Sequence, residues 1–112
     1  MGPTRRQLKT FPRAVQRAIG LALYVAQLGD TAPDAKPLKG FGGAGVLELV
    51  EDYRGDTFRA VYTVRLAASI YVLHVFQKKS KRGIATPQKE IELIRARLEW
   101  AEQMHFRKTK EH

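Results

Sequence analysis

His74, Phe76 and Lys78 alternate along the run SIYVLHVFQK, and Arg59 and Arg65 share one parity in TFRAVYTVRL. If both runs are extended, each set lies on one side of its chain, because successive side chains on a strand point to opposite faces. Their types suit one kind of chemistry. Arginine and lysine neutralise phosphates, an aromatic ring stacks a base, and histidine exchanges protons near neutral pH. Glu48, in the run GVLELVEDY, joins the set and brings a carboxylate able to orient Arg59.

Two readings of this set stand side by side. In one it is a platform for phosphate-rich ligands. In the other it is ordinary solvated surface: Arg59–Glu48 is a cross-strand ion pair, Phe76 is a partly covered edge residue, and His74 bonds to Glu48 or solvent. The cluster Lys78, Lys79, Lys81 and Arg82 follows the third run directly and continues the cationic side, which favours the first reading. Binding through such cations releases counterions and weakens steeply with salt.

The elements that must position these residues follow from composition and periodicity. The 112 residues, 44% of them hydrophobic, suit a single domain spanning 1–112, with flexible ends at 1–9 and 107–112. Lys and Arg number 20 against 11 acidic residues, a net charge of +9 that points to nucleic acid, anionic lipid or an acidic protein. No apolar stretch approaches the ~20 residues needed to cross a bilayer, and the N-terminus lacks the apolar run of a signal peptide. A cytoplasmic protein with no membrane partner is therefore expected. There is no Cys, and with only His74, His105 and His112 a metal site is not expected, nor is a cofactor.

Pro12 to Leu28 has helical spacing: Val15, Ile19, Ala22 and Val25 form a stripe that Ala14, Ala18, Leu21 and Leu28 widen. Gly29 follows where a helix commonly stops. Asp30 to Gly45 reads as loop, and its GFGGAG lacks the spacing of a phosphate-binding loop. Three strand-like runs follow, Gly45 to Tyr53, Thr57 to Leu66 and Ser69 to Lys78, separated by the turn signals RGD and AAS. An antiparallel meander is the economical arrangement. Alternation assigns Leu47, Leu49, Phe58, Ala60, Tyr62, Val64, Leu66, Tyr71, Leu73 and Val75 to the core face. Thr86-Pro87 opens a last helix, running to about Met104, with Ile91, Ile94, Leu98 and Ala101 inward. Trp100, Met104 and Phe106 either complete the core or form a patch for a partner. The fold class is α+β: an N-terminal helix or helical hairpin, a small antiparallel sheet and a C-terminal helix.

Tyr71 to Leu98, YVLHVFQKKSKRGIATPQKEIELIRARL, resembles the signature segment of the phage-derived, HigB-like branch of the RelE/ParE toxin superfamily. LKGFGGAGVLEL (Leu38 to Leu49) and FRAVYTV (Phe58 to Val64) resemble that family's Gly-rich lead-in and Arg-x-x-Tyr strand. The resemblance implies a RelE-like fold and a toxin of a type II toxin–antitoxin system. Its partners would be an antitoxin, usually a helix-turn-helix protein, together with mRNA and the ribosome. The implied activity is metal-independent cleavage of mRNA by in-line attack of the RNA 2′-OH, helped by cations placed where charge develops. By resemblance Arg59 with Lys78 or Lys79 grips the scissile phosphate and Glu48 orients Arg59; Arg65 is a further candidate for the phosphate, and His74, whose ordinary pKa lies near neutrality, is a candidate general acid or base. Phe76, Lys81 and Arg82 complete the RNA surface. Tyr62 matches the family tyrosine, but its parity points it at the core, and Val50 stands where the family has an arginine. Two other functions share this fold or charge: a ParE-like inhibitor of DNA gyrase, and a non-catalytic nucleic-acid-binding module.

Overall fold

The computed structural model describes residues 2–38, 41, 45–64, 70–78 and 87–110; the side chains of residues 2, 3, 78 and 105–110 lie outside the description. Its elements are α1 (Gly2–Lys9), α2 (Arg13–Gln27), β1 (Ala35–Pro37), β2 (Val46–Tyr53), β3 (Asp56–Thr63), β4 (Val72–Lys78) and α3 (Gln88–Lys110). The four strands form one antiparallel sheet in the order β1-β2-β3-β4. This is the expected α+β arrangement with a helical hairpin at the start.

The helix boundaries have local causes. Pro12 is the N-cap of α2, and its carbonyl accepts from the Gln16 amide at 3.0 Å. Gly29, at φ 89°, ends α2: its amide reaches the Ala26 carbonyl and the Asp30 amide reaches that of Val25. Those are the two bonds of a Schellman stop, which needs a left-handed residue after the helix. Near the start of the chain Gly2–Lys9 form α1, whose Thr4 is buried and donates to the Leu73 carbonyl at 3.4 Å. That long-range contact has no local sequence signal. Nor does β1, a three-residue edge strand within the expected loop.

Arg54 and Gly55 join β2 to β3 as a two-residue turn with both φ positive, 50° and 87°. This is the primed geometry whose twist matches a hairpin.

Helices cover both faces of the sheet. On one, Phe11 and the α2 residues Val15, Ile19, Ala22 and Ala26 pack on Leu49, Phe58, Ala60, Tyr62 and Val75. On the other, Ile94, Leu98 and Ala101 of α3 pack with Leu38 and Phe41 on Val46, Val61 and Leu73. The α2 stripe is narrower than expected: Leu21 and Leu28 are exposed, as is Ala14. Trp100 is 46% exposed, so it does not complete the core.

The core-face assignment holds through β2 and β3 and fails partway along β4. Val61 pairs with His74 but Tyr62 pairs with Val72, so Leu73 is an extra residue, a β-bulge. A bulge reverses alternation beyond it. Leu73 and Tyr71 therefore pack on the α3 side, and Val72 and Ile70 on the α2 side, opposite to simple parity for Leu73, Tyr71 and Val72.

Gly20 and Gly55 both meet open space where a Cβ would stand, so backbone conformation alone decides their replacement. Gly20→Ala, within α2, is expected to raise the unfolding free energy by about 0.5–1 kcal/mol. Gly55→Ala, at positive φ, is expected to lower it by about 1 kcal/mol. Urea denaturation of the two variants reads both signs.

Candidate active site

His74, next to the bulged Leu73, keeps its expected face and is turned toward α3. The ring of Phe76, two residues on, stacks on His74 with centroids 5.0 Å apart and planes 20° from parallel. Nε2 of His74 bonds to Oε2 of Glu90 in the first turn of α3. On the opposite edge of the ring, Nη1 of Arg97 lies 3.0 Å from Nδ1. A guanidinium can only donate, so Nδ1 accepts and Nε2 carries the proton directed at Glu90. His74 is thus held as a neutral imidazole between a carboxylate and a guanidinium.

Arg97 is anchored in turn. Its Nη1 also donates to the Leu73 carbonyl at 2.8 Å and to Thr4 Oγ1 at 3.3 Å. His74, Phe76, Glu90 and Arg97, with Thr4 and Gln7 of α1, line a cleft of about 320 Å³. Burial pulls the His74 imidazole below its ordinary 6.5; the hydrogen bond and charge of Glu90 push it up, and the charge of Arg97 pushes it down.

The remaining expected residues are placed differently. Arg59 is 6% exposed and pairs with Glu48 at 3.2 Å, diagonally across β2 and β3 and directly opposite Phe76 in register. Phe76 is 8% exposed and one face is taken by His74, so it presents little surface on which a base could stack. Tyr62 is fully buried in the α2-side core, as its parity requires. Lys78 ends β4 opposite Thr57. Arg65, Lys79, Lys81 and Arg82 lie outside the described residues, as do Thr86 and most of the Gly-rich stretch.

Sequence reasoning missed Glu90 and Arg97. They stand seven residues apart, two helical turns, beside Ile94 on the apolar stripe, and both read as solvated charge. Their available signal was that shared flank: charges repeating in phase with buried positions lie near the packed face.

A four-stranded antiparallel sheet with helices at both ends is an α+β architecture consistent with a RelE-like fold. The profile of the Phage derived protein Gp49-like (DUF891) family matches residues 6–99, and the chain belongs to that family. This is a RelE-like, toxin-like family of toxin–antitoxin systems, and membership implies an antitoxin as partner. No curated protein and no solved structure matches the chain. Among the described residues, no helix is long and apolar enough to cross a membrane.

Two predictions follow from the buried charges. Because His74 binds its proton less readily folded than unfolded, its contribution to stability is complete above about pH 6.5 and is lost as pH falls through that value toward the lower folded pKa. Relative to His74→Gln, the parent chain is expected to lose stability on acidification across that window, measured by urea denaturation. Arg59→Ala leaves Glu48 without its guanidinium and is expected to cost about 3 kcal/mol. Adding Glu48→Ala should recover part of that loss in a double-mutant cycle.

Proposed function

We propose that this chain is a HigB-like toxin of a type II toxin–antitoxin pair and a metal-independent endoribonuclease that cleaves mRNA on the ribosome, in the cytoplasm. The observation that carries the reading is His74 held between Glu90 and Arg97 in an open cleft. In-line cleavage needs a base for the 2′-OH proton and an acid for the departing 5′-oxygen. His74 takes that first proton while the bond from O2′ to phosphorus forms, and Glu90 stabilises the resulting imidazolium. The bond from phosphorus to O5′ then breaks, and the imidazolium returns the proton to O5′. The products are a 2′,3′-cyclic phosphate and a 5′-hydroxyl.

Cations supply charge stabilisation in this reading. Lys78, the last residue of the strand that carries His74, and Lys79, next in sequence, are assigned to the scissile phosphate, with Arg65, Lys81 and Arg82 assigned to the flanking backbone. The Arg59–Glu48 pair stands beside Phe76 across the β3–β4 ladder, and Arg59 is buried, so altering it costs stability. Val50 removes one cation the family resemblance would supply, which places more of the phosphate grip on the remaining cations.

Induced expression in bacteria, with primer extension on a reporter mRNA, tests the assignment. New cuts inside the translated region are expected, reduced about 100-fold or more in His74→Gln and also weakened in Lys78→Ala. Cleavage in a purified translation mixture should survive a chelator. Growth arrest with intact mRNA would refute the nuclease and turn attention to gyrase; salt-sensitive RNA binding without cuts would leave a binding module.

A further inference from the structure

Among the described residues, Arg97 spends a single nitrogen on its neighbours. Nη1 reaches the Leu73 carbonyl, His74 Nδ1 and Thr4 Oγ1, while Nε and Nη2 have no hydrogen-bond partner among the described residues. The side chain lines the cleft. A guanidinium with free N–H groups beside an opening is a fork shaped for a phosphate oxygen pair. The same side chain also blocks Nδ1 of His74, the nitrogen that must be vacant to accept a proton.

We propose that Arg97 is an anion latch: a phosphodiester entering the cleft draws the guanidinium onto its oxygens, frees Nδ1, and thereby couples anion binding to proton uptake by His74. The charges involved are few. From α3, Glu90 and Arg97 face the imidazole; from α1, Thr4 and Gln7 line the cleft without charge. From the sheet, Val61 stands opposite His74 with Glu48 beyond it on the same rung, and Arg59, paired to Glu48, lies one step along the ladder. Moving Arg97 off Nδ1 removes a positive neighbour, and the arriving phosphate adds a negative one. Both changes favour the imidazolium. By linkage, protonation of His74 must tighten anion binding by the same factor that the anion favours the proton.

The latch rests on the nuclease reading of the cleft, yet it is measurable without cleavage. The probe is thymidylyl-(3′→5′)-thymidine, a phosphodiester lacking the 2′-OH and therefore not a substrate. The His74 imidazole is followed by NMR through an acid-to-neutral titration of the full chain, its resonance assigned by its loss in His74→Gln. Saturating dinucleotide is expected to raise the His74 pKa by about one unit, with affinity rising about tenfold as pH drops below it. The methylphosphonate analogue, which has no charge at phosphorus, should leave the pKa unmoved. In Arg97→Met the dinucleotide should bind at least tenfold more weakly. No binding by the parent chain, or binding with an unmoved His74, overturns the latch, and these titrations decide it even if Arg97→Met does not fold. A shift in His74 without any mRNA cleavage in cells would sink the nuclease reading and leave the latch standing; cleavage without the shift would do the reverse.

Discussion

The Leu73 carbonyl lies at the bulge in the β3–β4 ladder, and it is met from two sides, by Arg97 of α3 and Thr4 of α1. Buried backbone acceptors must find partners, and here the partners come from opposite ends of the chain. One irregularity in β4 therefore ties the first helix to the last. The same irregularity makes Leu73 and His74 neighbours on one face, so Leu73 joins the α3 core while His74 points into the cleft beside it. A regular β4 would have sent one of the two to the other side. The interaction that closes the bulge is also the one that positions the histidine.

A two-sided core explains the burial of β3, where Thr57 through Thr63 are all buried. Antiparallel sheets commonly leave one face to solvent, and the alternation of the sequence suggested that pattern. What alternation could not convey is how much of the second face α3 covers. Val46, Val61 and Leu73 take the helix, while Glu48, Arg59, His74 and Phe76 continue beyond its apolar stripe. The second face is thus half core and half site. Arg59 and Phe76 are buried there, so their first duty is to support what sits on them.

Elements whose signals are local were legible: α2 between Pro12 and Gly29, the β2–β3 hairpin at Arg54-Gly55, and the apolar stripe of α3. Elements that depend on distant partners were not. Within α1 only Thr4 is fully buried among the described side chains, and Leu8 only partly, so it offers no stripe to read. β1 is three residues long and ends in proline. The site divides the same way. His74, Phe76, Glu48 and Arg59 share a strand face and were visible from parity, whereas Glu90 and Arg97 acquire meaning only when α3 folds back onto β4. Their distance in sequence from His74, 16 and 23 positions, hides the contact completely.

The forces acting on His74 differ in how readily a ligand can change them. Burial is set by the packing of β4 against its neighbours, and Phe76 fixes one ring face. Glu90 sits in the first turn of a helix whose Ile94 and Leu98 are locked in the core, which limits its movement. Those two influences oppose each other, one favouring neutral imidazole and the other imidazolium. Arg97 differs in being held, among the described residues, through Nη1 alone, with a charge that attracts the anion a nuclease must bind. A histidine poised between opposing fixed influences is governed by whichever movable charge remains. In this cleft that charge is a guanidinium, and the substrate class that would bring a competing anion is the one a basic chain of net charge +9 already attracts.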